Sequence, residues 1–153
     1  MAHTTPAPAS VPAAAQTFPA LLQEHARVRG ARPAIREKDL GIWQTLSWQD
    51  VAHHARLVAN GLAHLGIGPG MHVAVIGENR PRLYIAMMAA QALGAIPVPL
   101  YQDAVAQEMV YVLQDAEIRV AVVEDQEQVD KMLEVREQCP ALKHVVYDDP
   151  RGL

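Results

Sequence analysis

A chain of 153 residues has the size of one domain. Folded on its own, a domain of that length buries roughly 70% of the surface its unfolded form exposes, enough for a sizeable core. Half of the residues are hydrophobic, only 5% are aromatic and the formal charge is −4, which excludes both a basic nucleic-acid footprint and a disordered acidic tail. The single cysteine, Cys139, excludes an intramolecular disulfide and fits a reducing compartment. No activating base surrounds it, so it reads as an inert thiol.

Residues 1–16 are mostly alanine, proline, serine and threonine, with no lysine or arginine, and read as a disordered leader. A secretory signal needs a positive start and an unbroken apolar centre, and a transit peptide needs arginines; neither pattern is here. Thr17 then caps a predicted helix from Phe18 to about Arg29, with Pro19 in its first turn, Gly30 as its stop, and Leu21, Leu22, His25 and Val28 on one face. Two short strands, Ala34–Lys38 and Ile42–Leu46, surround a glycine-containing turn and predict a hairpin. Ser47-Trp48-Gln49-Asp50 matches the N-terminal capping pattern. The helix it opens runs to about Leu65, with Trp48, Val51, Ala52, Ala55, Val58, Ala59, Leu62 and Leu65 as its apolar face.

His53, His54 and His64 lie on or near the polar side of that helix, at a spacing that lacks the paired ligands and third group of a metal site, and read as solvated. His72 and His144 each begin a predicted strand, with no acid or nucleophile nearby to give them a role. Gly66, Gly68 and Gly70 precede the next strand, whereas a dinucleotide fingerprint follows its strand and opens a helix. They end the Ser47 helix and turn the chain.

The stretch from Gly66 to Tyr101 organises the rest. Val73–Ile76 and Ile96–Leu100 are short apolar runs, predicted as strands covered on both faces. Arg80 to Leu93 between them is long enough for a crossover helix, so the two strands lie parallel in a right-handed βαβ unit. Leu83 to Tyr101 is nineteen residues without a charge, but Gln91, Gly94, Pro97 and Pro99 interrupt it, so it reads as a buried helix and strand rather than a membrane span. After Gly77, Asn79 or Arg80 can cap the crossover helix, with Pro81 in its first turn. An anion could sit at that N-terminus, but no second glycine permits the close approach that a nucleotide site requires.

Tyr84 to Leu93 is apolar almost all round, as expected of a helix buried on more than one side. Its methionines suit a core better than a ligand groove. The visible chain looks too small to cover it, so more protein is expected against it. Further on, Val105, Met109, Val112, Leu113 and Ala116 mark a third helix of this repeating pattern's series, Arg119–Val123 a strand, and Asp125 with Gln128 a capping pair. The next helix turns Val129, Met132 and Leu133 inward and pairs Glu127 with Lys131 on its solvated side. Glu124, Asp125, Glu127 and Asp130 surround a helix start, where acids ordinarily answer the macrodipole rather than bind a cation. Lys143–Tyr147 is the last strand.

These residues carry a resemblance. The glycine turn, Val73-Ala74-Val75-Ile76, Asn79 followed by Pro81, Gly94-Ala95, and Pro97 to Leu100 resemble the early part of the adenylate-forming, AMP-binding superfamily. Tyr101-Gln102-Asp103 through Glu108-Met109, and Glu124 to Lys131, are similar to its long-chain fatty-acid–CoA ligase (acyl-CoA synthetase) branch. Met71-His72 departs from the acid and basic residue usual in relatives. The resemblance covers about Thr17 to Tyr147. It implies an α/β fold: a parallel-sheet βαβαβαβ subdomain over residues 17–147 behind an N-terminal helix and β-hairpin, with 148–153 as the truncated start of the following segment.

It also implies a parent enzyme that uses ATP, Mg2+ and coenzyme A to activate a fatty acid to an acyl-adenylate and then a thioester. Relatives hold the ATP phosphates with a Ser/Thr/Gly-rich loop and close a lysine-bearing C-terminal domain over the adenylate. No such loop is present, so no catalytic, cofactor-binding or metal-ligating residue is assigned, and no cofactor is expected on this segment. The expected partners are the remainder of its own chain and, in the parent, the fatty acid. A homodimer and a peripheral membrane contact are compatible with the pattern, in a cytoplasmic or membrane-associated enzyme. Two other readings are a non-enzymatic α/β protein-interaction module using the Tyr84–Leu93 helix, and a small nucleotide-binding sensor.

Overall fold

The computed structural model describes residues 17–153; the predicted leader, 1–16, lies outside the described residues. From Thr17 the chain runs through α1 (Phe18–Arg29), β1 (Pro33–Asp39), β2 (Ile42–Ser47), α2 (Trp48–His64), β3 (His72–Ile76), α3 (Pro81–Ala92), β4 (Ile96–Leu100), α4 (Ala106–Asp115), β5 (Val120–Val123), α5 (Gln126–Glu134) and β6 (His144–Tyr147). Local chemistry sets most of these boundaries. The Thr17 hydroxyl accepts the Ala20 amide at 3.3 Å. At α2 the Ser47 hydroxyl accepts the Asp50 amide at 3.2 Å while the Asp50 carboxylate accepts the Ser47 amide at 2.9 Å, a reciprocal capping box.

β1 and β2 pair antiparallel across a two-residue turn, Leu40-Gly41, in which both residues have positive φ. The other four strands form one parallel sheet in the order β4-β3-β5-β6. Side chains alternate across it as a two-residue period demands. Val73, Val120 and Val122 face α2 and α3, joining Ala59, Leu62, Ala86, Ala89 and Ala90. Ala74, Ile76, Ala121 and Val123 face α4 and α5, joining Met109, Leu113, Val129 and Met132. The sheet is therefore wound on both sides, which is why β3 and β5 read as unbroken apolar runs.

The crossover helix α3 is buried on more than one side, as its composition predicts. Ala86, Ala89 and Ala90 lie on the sheet, while Ile85, 1% exposed, packs with Leu22 of α1 and Val51, Ala52 and Ala55 of α2. The expectation that the visible chain cannot cover this helix is corrected: α1, α2 and the sheet enclose most of it, and Tyr84 is its half-exposed aromatic. Truncating Ile85 in such a setting would cost about 2–5 kcal/mol.

The sheet's two edge strands, β4 and β6, are the less covered ones. β4 was expected to be covered on both faces, yet its residues are only half-buried or exposed. The Ile96 amide donates to the Met71 carbonyl at 2.8 Å, so Ile96, Val98 and Leu100 turn their backbone groups toward β3. Pro97 and Pro99 then fall at the alternate positions, on the free edge, where they present no N–H donor.

Three side-chain placements also differ from the helical-face expectations. Val28 is exposed, so α1 buries Leu22 alone. Val105 is the exposed N-cap of α4, whose buried face is Ala106, Met109, Val110 and Leu113. Leu133 is exposed, and α5 turns Gln128, Val129 and Met132 inward. In each case the packing partner sets the rotation of the helix, which periodicity leaves open by about one residue.

Candidate functional site

β3 connects through α3 to β4 on one side, and β5 connects through α5 to β6 on the other. Neighbouring strands that lead away in opposite directions define a topological switch point, and in open α/β sheets ligands bind in the crevice beyond the carboxyl ends of such strands. Here that crevice lies between the Gly77–Arg80 turn and Glu124-Asp125.

A side chain of the protein itself occupies it. Glu124, 13% exposed, accepts the Glu78 amide on Oε2 at 2.5 Å and brings Oε1 to 2.6 Å from Arg80 Nε. The second contact is an ion pair whose angle falls outside hydrogen-bond geometry, so Coulombic attraction rather than an aligned bond holds it. Arg80 also reaches Glu78 at 3.5 Å and Glu37 of the hairpin at 3.8 Å. Gly77 makes room for this arrangement, since a Cβ there would lie 2.7 Å from the Glu124 Cβ. Arg80 occupies the N-cap of α3 without a side-chain cap bond, and Asn79 instead accepts the Tyr84 hydroxyl at 3.3 Å.

Beyond Glu124 the crevice widens into a cleft of about 360 Å³ in which three arginines, Arg80, Arg82 and Arg151, face six carboxylates, Glu37, Asp39, Glu124, Asp125, Asp148 and Asp149. Burial pushes the Asp148 carboxyl above the usual aspartate range, against the pull of Arg82 at 3.6 Å. Arg151 bonds the Asp149 carboxylate and holds it below that range.

These residues do not fit an ATP phosphate. The Glu78 amide in the turn before α3 already has a carboxylate on it, and the cleft's excess of acids repels a polyanion. Three of the four acids considered for a cation are also separately engaged: Glu124 with Arg80, Asp125 capping α5 through the Gln128 amide at 3.4 Å, and Glu127 with Lys131 at 2.8 Å. Among the described residues no three His, Cys, Asp or Glu side chains come together as a metal cluster. The His53 and His54 rings are 5.8 Å apart on adjacent positions of α2, with no third ligand. Cys139 is buried, and desolvation raises its thiol pKa, away from thiolate reactivity.

A second concavity, about 560 Å³, opens beyond the ends of β3 and β4 and is largely apolar, with Val75, Leu83, Tyr84, Met87, Leu100 and Tyr101 in its wall. Met87 therefore lines a groove rather than sitting in the core. Sequence reasoning missed the closeness of Gly77 and Glu124, which are 47 positions apart in the chain. The signal available was one glycine directly after a buried strand.

The fold defines the class: a doubly wound parallel α/β unit with a β-hairpin, whose switch point is plugged from within by Glu124. The chain belongs to the AMP-binding enzyme family, whose model matches residues 22–152. It is 31% identical over 134 residues to the long-chain-fatty-acid–CoA ligase ACSBG2 of Xenopus laevis, covering 87% of this chain and 18% of that protein. It is 31% identical over 106 residues to the long-chain-fatty-acid–CoA ligase FadD15 of Mycobacterium bovis, covering 69% and 18%. Among solved structures it is similar to the anthranilate CoA ligase AuaEII in complex with anthranoyl-AMP, at 25% identity and a TM-score of 0.76, over 85% of this chain and 24% of that one. The chain thus spans about a fifth of the length of the curated ligases it matches.

Proposed function

We propose that the chain is the N-terminal segment of a long-chain fatty-acid–CoA ligase. The parent would join a fatty acid to the AMP moiety of ATP with release of pyrophosphate, and then pass the acyl group to the thiol of coenzyme A with release of AMP. The observation that carries this reading is the 31% identity to a long-chain ligase over 87% of the chain. The 17–147 subdomain would act as scaffold, with 148–153 opening the next segment and the ATP, magnesium and coenzyme A sites supplied by sequence beyond Leu153. The plugged, acid-rich switch point supports that division of labour. No helix among the described residues is long and apolar enough to cross a membrane, and the proposed setting is the cytoplasm.

Fatty-acid-dependent ATP–pyrophosphate exchange, measured on the 153-residue chain and on a product extended past Leu153, tests both halves. The expected result is exchange from the extended product alone. Exchange by the short chain would overturn the scaffold role, and none from the extended product with any chain length would overturn the ligase assignment. The apolar groove around Met87 favours a second reading, a non-enzymatic interaction module. That reading requires the short chain to melt cooperatively as a monodisperse species and the extended product to remain inactive.

A further inference from the structure

The two edges of the sheet are not equivalent. On β4 the outward positions are Pro97 and Pro99, which carry no N–H. On β6 they are Val145 and Tyr147. The His144 amide donates to the Arg119 carbonyl at 3.2 Å and the Asp148 amide to the Val123 carbonyl at 3.1 Å, so His144, Val146 and Asp148 turn their backbone groups toward β5. Val145 and Tyr147 therefore present N–H and C=O groups that no strand among the described residues pairs. The strand reads His-Val-Val-Tyr, without the proline or lysine that ordinarily blunts a sheet edge.

Exposed apolar side chains gather along the same edge. Val146 is 38% exposed, Tyr147 48% and Leu133 of α5 53%. Val145 packs toward α4 and α5, and Tyr147, two positions on, shares that face. Leu133, Leu142 and Val145 line a recess of about 160 Å³ there. Val146 lies on the opposite face, between His144 and Asp148.

We propose that the 153-residue chain forms a dimer in which the β6 edges of two copies pair antiparallel about a two-fold axis through Val146. Hydrogen bonding selects this register. With Val145 opposite the second copy's Tyr147, and Tyr147 opposite its Val145, every outward N–H and C=O of the two residues finds a partner. Sliding by two residues instead sets Tyr147 opposite Lys143 or Val145 opposite Asp149, whose amides already donate to the Arg119 and Glu124 carbonyls at 2.9 and 2.8 Å. The side chains agree with the choice. Each Tyr147 ring comes to lie beside the other copy's recess at Leu133 and Val145, and the two Val146 side chains meet on the opposite face. His144 stands opposite Asp148, with Lys143 near Asp149, so basic residues meet acids at both ends. The axis closes the assembly at two, and the prolines keep the β4 edges out of it. The inference stands apart from the ligase reading, because association is measured without ATP, fatty acid or coenzyme A.

The test is the weight-average mass of the 153-residue chain by sedimentation equilibrium. The expected result is a mass that rises with concentration to twice that of the monomer and stops there. Val146→Lys and Val146→Glu each set like charges across the axis and should weaken the dimer by at least about tenfold, while an equimolar mixture of the two variants should restore it. Misfolded chains would show no such restoration, which separates loss of pairing from loss of fold. Tyr147→Pro removes an outward N–H and no bond to β5, and should weaken association too. A monomer at every concentration up to the millimolar range, growth past the dimer, unchanged association of both Val146 variants, or a mixture that associates no better than its components would overturn the proposal.

Discussion

Replacing Gly77 by alanine probes the joint that closes the sheet's switch point. The new Cβ would lie 2.7 Å from Glu124 Cβ, 2.8 Å from Glu124 Oε2 and 3.1 Å from Leu83 Cδ1, at a φ of +154°. A Cβ cannot swing aside as the end of a side chain can, so the ends of β3 and β5 must move apart. Backbone strain of this kind costs about 1–3 kcal/mol. Displacing the Glu124 carboxylate from the Glu78 amide forfeits a charge-assisted hydrogen bond, about 1.5–3 kcal/mol when fully buried. Arg80 is partly exposed, which keeps the ion-pair share small.

The two losses overlap, because one movement relieves the clash and breaks the bond. We expect a net destabilisation of about 2–4 kcal/mol. For a domain of this size the melting temperature falls by roughly 5–15 °C. Far-UV circular dichroism during thermal and urea unfolding measures the change, with an unaltered urea slope showing that the native and unfolded states remain comparable. In a Glu124→Gly background the same alanine should cost at least about 1 kcal/mol less. A loss below about 0.5 kcal/mol, or equal losses in the two backgrounds, would refute the close packing of these residues.

Removing the α2 cap with Ser47→Ala should lower stability by about 1 kcal/mol, and an unchanged urea midpoint would contradict the capping box. Bonds from the Ser47 hydroxyl and amide hold the Asp50 carboxyl below the usual aspartate range. A carboxyl with a depressed folded pKa contributes fully above its unfolded value, near pH 4, and loses that contribution as the pH falls through the folded one. The stability gap between wild type and Asp50→Ala should therefore narrow below about pH 4, and a gap that stays constant there would contradict the assignment. Changing Pro97 and Pro99 together to valine restores two N–H donors to the free edge inside an unbroken β-branched run. Light scattering should then show concentration-dependent association beyond that of wild type, and a double variant that goes no further would show that the prolines do not guard this edge.

Much of the fold was legible because its signals are local. Thr17 and Ser47 act on amides three residues away, and Val73–Ile76 needs only its own composition to read as a doubly covered strand. The parallel order followed once a helix-length crossover separated two strands. Helix rotation was less legible. Leu133 satisfies helical spacing as well as Gln128 does, but in the fold α5 packs Val129 and Met132 into the core with Gln128 buried beside them, and Leu133 is left exposed. Similarly, Ile96-Pro97-Val98-Pro99-Leu100 reads as apolar throughout, and only the Ile96 to Met71 bond reveals that the prolines take the unpaired side.

The candidate site was legible in its parts and not in its assembly. Asn79, Arg80 and Pro81 marked a helix start able to attract an anion, and Glu124 marked another helix start with acids around it. The amino-acid order determined both, because caps, turns and strand periods act over a few residues. That Glu124 itself reaches the Glu78 amide and Arg80 just before the first of these starts depends on β3 and β5 lying side by side in register, Ile76 opposite Val123. Tertiary structure alone decided that contact, since the energy of bringing two strand ends together comes from the whole core packed on both faces of the sheet and is written in no single stretch of the chain.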